Sequence, residues 1–167
     1  FHNVVTLNNS DIHSLSLDAF KMNWAGTKVE LINWEVNDDN VIFVGQHNGY
    51  QRDYGCHIRR SINYSRRLNK WKIIDEVIGD AKKIKVIKSQ WLLAEGIIPK
   101  YKNIDECGSL LYIDQKSGIK FKFENHQNIT IKRHEYSPSY GEKKNTLIIS
   151  TNIPIHNEKI LASLSIW

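Results

Sequence analysis

Apolar and polar side chains alternate along much of this chain with the two-residue period of a β-strand. The clearest example is the range 56–65, where one face carries mostly apolar side chains and the other carries His57, Arg59 and further polar residues. Only Arg60 interrupts the pattern. This range therefore predicts a strand that buries one face in a core and presents His57 and Arg59 together on the other.

Short segments of the same character recur between turn signals, and each predicts a strand. Helical periodicity is nearly absent, since the best candidate, 75–86, is interrupted by Gly79. A sheet whose strands each have one apolar face buries that face by packing against a second sheet. We therefore expect an all-β fold, a two-layer antiparallel β-sandwich of about a dozen strands, with a barrel as the less favoured closure. The predicted strands are 3–7, 14–22, 27–36, 40–46, 56–65, 71–76, 83–89, 110–114, 118–123, 128–132, 145–151 and 158–166.

The length of 167 residues suits one compact domain, and no repeat, linker or low-complexity tract divides the chain. We therefore expect residues 1–167 to form a single domain. No apolar run reaches the ~20 residues that a membrane-spanning helix needs. Because the chain starts in what looks like a strand, we also expect the sequence to be a piece of a longer protein.

A net charge of +5 favours an anionic partner: an acidic polysaccharide, a nucleic acid or a membrane surface. A soluble domain that is merely basic is the simpler alternative. Nucleic acid is the weaker choice of partner, because the sequence shows neither an aromatic strand pair of the RNA-binding type nor a basic recognition helix. Cys56 and Cys107 are the only cysteines, and they permit one disulfide without requiring it. No C-x-x-C pair points to a zinc site, and we expect free or buried thiols rather than a bridge.

Chemistry suited to sugar binding concentrates between Gly45 and Arg60. Guanidinium groups bind carboxylates and sulfates in a bidentate manner, and tyrosine rings can stack on sugar rings. The alternative is that these histidines are ordinary turn and strand residues on a solvated basic surface. The predicted sugar site consists of His47, Tyr50, Arg52, His57 and Arg59.

Five short motifs strengthen this interpretation because of their order along the chain. They are Phe1-His2-Asn3-Val4-Val5-Thr6-Leu7, with Asp18-Ala19-Phe20 after it, His47-Asn48-Gly49-Tyr50, His57-Ile58-Arg59, the range 71–79, and Ser137-Pro138-Ser139-Tyr140-Gly141. They resemble the HNTV, HDGY, HxR, I-x-D-x-x-x-G and SPxYG motifs in the C-terminal β-sandwich of heparinase II/III-like polysaccharide lyases. Asn48 departs from the pattern, since the family favours Asp there, and this difference suggests an altered substrate cleft.

The resemblance implies a parent enzyme that cleaves uronic-acid-containing acidic polysaccharides by β-elimination. In that family an N-terminal α/α toroid supplies the catalytic Tyr and a neutralising Asn or His. The resemblance therefore implies that this chain is the C-terminal part of a multidomain lyase, forms one wall of the substrate cleft, and is inactive alone, with its catalytic residues unknown. The alternative is a non-catalytic carbohydrate-binding module for acidic glycans.

The same resemblance implies a metal candidate and a location. The family's HN histidine corresponds to His2, and it can complete a site for zinc or another divalent metal whose other ligands lie outside this chain. One imidazole does not make a site, so the alternative is that His2 merely ends a strand. The implied location of the parent is periplasmic or secreted, in a bacterium.

Overall fold

A computed structural model describes residues 3–10, 12, 27–80, 82–104, 108–113, 119–155 and 160–167. In this part of the chain there are twelve β-strands and one four-residue helix. None of the described helices is long and apolar enough to cross a membrane. The elements are β1 Val5–Leu7, β2 Val29–Val36, β3 Asn40–His47, α1 Gln51–Tyr54, β4 Cys56–Ser65, β5 Lys70–Gly79, β6 Ile87–Leu92, β7 Pro99–Ile104, β8 Gly108–Ile113, β9 Lys120–Glu124, β10 Gln127–Tyr136, β11 Lys144–Asn152 and β12 Ile160–Ile166.

The strands form two sheets. The smaller sheet has four strands in the order β1-β6-β11-β10, and the larger has eight in the order β2-β3-β4-β5-β12-β9-β8-β7. Every pairing is antiparallel. The predicted all-β, antiparallel class and the number of strands are confirmed.

The core lies between the two sheets. One cluster of buried side chains joins Leu7 and Ile87 of the smaller sheet to Ile58 of the larger. A second cluster joins Ile149 to Phe123 in the same way, together with Trp91 and Leu164. Because each cluster takes members from both sheets, the molecule is a two-layer β-sandwich.

Two parts of the strand prediction differ from the structure. Strand β6 spans Ile87–Leu92 and begins later than the predicted 83–89. The preceding residues form a loop instead, because the Asn8 Oδ1 atom accepts hydrogen bonds from the backbone N–H groups of Lys85 and Val86. Strand β7 was not predicted, and it begins at Pro99, a residue that strands tolerate at their first position. The predicted strand 14–22 lies outside the described residues.

The larger sheet extends beyond the smaller one at β2. Val29, Leu31, Trp34 and Val36 pair in register with core-facing positions of β3, so they point to the core side of the sheet. Nevertheless they are 82%, 61%, 60% and 53% exposed, respectively. We call these four residues the uncovered β2 face. Such a row of apolar side chains marks an interaction surface.

Candidate functional site

The predicted sugar site centres on the connection between β3 and β4. Strand β3 ends at His47, and the short helix α1 follows. The helix ends where Gly55 adopts a left-handed conformation with φ of 72° and donates its N–H to the carbonyl oxygen of Gln51. This single helical turn was not expected from the sequence, and it sets the direction of the side chains between the two strands.

Tyr50 is part of the core. Its side chain is 1% exposed, and its hydroxyl donates to the carbonyl oxygen of Ser10 at 3.0 Å. Tyr54, one helical turn later, shares a hydrogen bond of 2.7 Å with the Ser10 hydroxyl. The two tyrosines therefore anchor the β3–β4 connection to the segment after β1. A sugar ring cannot stack on Tyr50 in this conformation, because its ring is already packed.

His47 lines a cleft of about 340 Å³ between β1 and the overhanging part of the larger sheet. Val4 and Val29 form apolar walls, and Arg60 and Asp75 add polar groups. We call this space the flank cleft. The Nδ1 atom of His47 accepts the N–H of Gly49 at 3.3 Å, so the neutral ring carries its proton on Nε2. A concave, mostly apolar space with a few converging polar groups is typical of ligand sites.

Arg60, the residue that interrupts the alternation, points into the sandwich. Its guanidinium forms a bidentate pair with Asp75, with Nε–Oδ1 at 2.6 Å and Nη2–Oδ2 at 2.8 Å. It also donates to the carbonyl oxygen of Asn3 and lies 5.0 Å from the centre of the Trp91 ring. Asp75 is 6% exposed. Since the guanidinium contacts Asp75 on the larger sheet and Trp91 on the smaller one, Arg60 is a structural link between the sheets and forms the floor of the flank cleft.

His57 and Arg59 lie on the opposite face of the larger sheet. His47 pairs in register with Ile58, so the neighbours of Ile58 on β4 point the other way. On that outer face the Arg59 Nη2 atom donates to Gln46 Oε1 at 3.1 Å. The Gln46 Nε2 atom in turn donates to Glu30 Oε2 at 2.7 Å. Arg59 therefore belongs to a polar row that crosses β2, β3 and β4.

Arg52 lies on α1 and pairs with its neighbour Asp53, with Nε–Oδ1 at 2.8 Å. The hydrogen bond from Arg52 lowers the pKa of the Asp53 carboxyl below its ordinary value. The structure thus brings His57 and Arg59 onto one face, but it separates them from His47 and buries Tyr50. The predicted five-residue site is not one continuous surface, and sugar binding by its exposed members stays a prediction.

Sequence reasoning missed the Arg60–Asp75 pair, although the signal was present. Asp75 follows Ile73 and precedes Val77 in an alternating strand, so it occupies a core position, as Arg60 does on β4. Two opposite charges at core positions of adjacent strands in one hairpin are expected to face each other. The resemblance of the range 71–79 to a family motif does not by itself place its aspartate on the core face.

The metal candidate His2 lies outside the described residues. Among the described residues no group of three or more His, Cys, Asp or Glu side chains is placed to hold a metal ion. Metal binding through His2 stays a prediction.

The two cysteines differ in what the structure describes. Cys56 is a wholly buried free thiol, and burial raises its pKa to about 11. Cys107 lies outside the described residues.

The fold and the flank cleft define an antiparallel β-sandwich with a ligand-sized space at one edge. The sequence profile of the family described as Heparinase II/III-like, C-terminal matches residues 1–160, so this chain belongs to that family. No curated protein matches the chain by sequence.

Solved structures agree on the fold. The chain is similar to a structure of the heparinase III BT4657 gene product, with a TM-score of 0.68 and 18% identity over 99% of this chain. It is also similar to the heparan sulfate lyase HepC from Pedobacter heparinus, with a TM-score of 0.69 and 15% identity over 99% of this chain. This chain spans only 23% and 24% of those two proteins, respectively.

Proposed function

We propose that this chain is the C-terminal β-sandwich of a polysaccharide lyase, forms one wall of its substrate cleft, and has no activity alone. The substrate class is acidic polysaccharide that contains uronic acid, and the reaction is β-elimination. The observation that carries the proposal is the family match over residues 1–160. The similarity to heparinase III and to a heparan sulfate lyase, each about four times longer than this chain, supports the view that the rest of the catalytic machinery lies elsewhere.

The uncovered β2 face is the surface where we place the N-terminal toroid of the parent protein. Val29, Leu31, Trp34 and Val36 expose apolar area at an edge of the sandwich, beside the flank cleft. Burial of such area stabilises an interface by roughly 25 cal/mol per Å² removed from water. A helical domain packed there would close one side of the flank cleft and leave His47 at the boundary between the two domains.

The proposed chemistry assigns limited tasks to this chain. In β-elimination the uronate carboxylate is neutralised, a base takes the proton at C5, and an acid assists departure of the C4 oxygen. His47 borders the flank cleft, and an imidazole at that place suits hydrogen bonding to a carboxylate or a hydroxyl. Arg59 and His57 offer cationic or polar contact on the other face. We assign no catalytic residue within this chain.

Two further elements of the proposal come from the family resemblance alone. His2 would contribute one imidazole to a zinc or other divalent metal site completed by ligands from the rest of the parent protein. The parent would be periplasmic or secreted by a bacterium, where acidic polysaccharides are accessible.

The test uses the longer parent protein and heparan sulfate as the first substrate, with formation of unsaturated uronate followed by ultraviolet absorbance. We expect product from the parent and none from this chain alone. His47→Gln should lower kcat/KM at least tenfold if the flank cleft faces the substrate. His57→Gln and Arg59→Gln should do so if the outer face does, and Arg66→Gln in the exposed β4–β5 turn is the control.

Two results would contradict the proposal. Lyase activity of this chain without the toroid would show that it is not merely one wall of a cleft. A parent that forms no unsaturated product from any uronate polysaccharide, while this chain binds acidic oligosaccharides with micromolar affinity, would instead favour the carbohydrate-binding module. Protection of β2 amides from hydrogen exchange in the parent, relative to the isolated chain, tests the toroid contact separately.

A further inference from the structure

The outward face of the smaller sheet, on the side away from the larger sheet, carries a second cleft. Strands β6, β11 and β10 lie side by side there, and their core-facing residues include Trp91 and Ile149. The alternate residues point outward. They form an open cleft of about 400 Å³ whose walls include Lys88, Gln90, Thr130, Lys132, Ser150 and Asn152. We call these six residues the β10 face.

The β10 face is ordered by strand register. Ser150 of β11 pairs with Gln90 on one side and with Thr130 on the other, so an amide and two hydroxyls form one row across the sheet. Asn152 pairs with Lys88 in the next row. A neighbouring row contains Lys132 beside Ile148, which adds a small apolar surface. Each row thus offers hydrogen-bonding groups at fixed positions, and two of the three rows contain a cation.

The charge of this cleft has one sign. The β10 face carries Lys88 and Lys132, and the described walls of this cleft contain no carboxylate. Arg133 and His134 also line a third, larger cleft of about 820 Å³, which lies next to this one along β10. The single carboxylate in the described walls of that larger cleft belongs to Glu135, which is neutralised by Lys143 at 3.6 Å.

The shape suits a linear ligand. From Thr130 to Tyr136 the strand advances roughly 20 Å, at about 3.4 Å for each residue. Amide and hydroxyl side chains match the hydroxyls of sugars, and lysines match carboxylates and sulfates. Single-stranded nucleic acid is less well matched, because it is bound on successive aromatic platforms. The described walls of the two clefts contain no Phe or Trp, and their aromatic rings are those of His134 and Tyr136.

We propose that the β10 face is a second binding site, one that holds a stretch of acidic polysaccharide away from the flank cleft. The class of ligand follows from the proposed function, while the site itself depends on the register and charge of the smaller sheet. A site of this kind would raise the affinity of the parent for long chains by engaging two places on one molecule.

The experiment measures binding of this chain to a heparan sulfate dodecasaccharide by calorimetry at fixed ionic strength. The double variant Lys88→Glu with Lys132→Glu should weaken binding at least tenfold. The control is Lys28→Glu with Lys72→Glu, which makes the same change in net charge. Both lysines are exposed, Lys72 on β5 and Lys28 immediately before β2. The control should weaken binding less than threefold. Thr130→Val with Ser150→Ala, which alters no charge, should weaken binding about threefold to tenfold.

Other results would overturn the inference. Equal loss in the two double variants would mean attraction by net charge alone. Tighter binding of a single-stranded DNA of matched charge, lost in the Lys88 and Lys132 variant, would identify a nucleic-acid surface instead. The proposed function is tested by a different measurement, the formation of unsaturated product by the parent protein. In that assay the Lys88 and Lys132 variant should raise KM for long chains and leave kcat/KM for a tetrasaccharide unchanged.

Discussion

Arg60 and Asp75 face each other across β4 and β5, and their bidentate pair lies beneath Trp91 of the opposite sheet. The pair thus links the two layers at the floor of the flank cleft. The two charges depend on each other there, because a charge that loses its partner is only partly hydrated at this depth.

Asp75→Ala should therefore lower the free energy of unfolding by about 3–5 kcal/mol. The double variant Arg60→Met with Asp75→Leu should lose much less, since neither charge remains. Chemical denaturation of both proteins measures the difference. The exposed pair Arg52 and Asp53 is the matched control, because Asp53→Ala breaks an ion pair that water already screens and should leave the free energy of unfolding almost unchanged. A double variant as unstable as Asp75→Ala would contradict this account.

Gly79 should resist substitution. It has φ of +123°, and a Cβ atom there would lie 2.5 Å from the carbonyl oxygen of Gly55. Gly79→Ala should lower the free energy of unfolding by about 3 kcal/mol, through backbone strain and displacement of β4. Gly96 has φ of +80° with open space around it, so Gly96→Ala should cost only about 1 kcal/mol. Thermal unfolding of the two variants compares them, and equal losses would refute the steric argument.

His126 should make the fold sensitive to mild acid. Burial lowers the pKa of its imidazole from 6.5 to about 4, against the opposing effect of a hydrogen bond to the Ser163 backbone. Between those two values the unfolded chain binds more protons than the folded one. Stability from this residue is therefore complete above about pH 6.5 and declines as the pH falls towards 4, by about 3 kcal/mol in total.

Urea denaturation between pH 4 and pH 7.5 measures this effect. His126→Gln should flatten the decline, even if the variant is less stable at every pH because it loses the contacts with Thr151 and Phe123. His57→Gln is the control, and its stability should decline with falling pH as steeply as that of the unsubstituted chain. If the slope survives in His126→Gln, other groups are responsible for the acid sensitivity.

Cys56 should be chemically inert while the protein is folded. Burial raises the pKa of its thiol to about 11, and the thiolate is the reactive form. In a Cys107→Ser background, alkylation by iodoacetamide at pH 8 should be at least a hundredfold slower in buffer than in 6 M urea. Mass spectrometry at timed intervals measures the two rates. Rapid alkylation in buffer would mean that the β4 end of the core opens readily.

Sequence patterns were sufficient for the class of fold because alternation reports burial directly. The range 56–65 gave the correct strand, and the turn after it gave the hairpin with β5. Pattern alone could not place Tyr50, because one turn of helix between strands directs it into the core. It also could not separate His47 from His57, since this required the exact register of β3 against β4. Site geometry depends on register more strongly than the fold does.

Strand β2 is the outermost described strand of the larger sheet, and one side of it carries Val29, Leu31, Trp34 and Val36 in a nearly continuous apolar row. Its outer backbone groups have no neighbouring strand in the described sheet. An edge of this kind acts as a template for another extended chain. In concentrated solution the chain alone should therefore form dimers through β2, and Trp34→Lys at the centre of that edge should keep it monomeric.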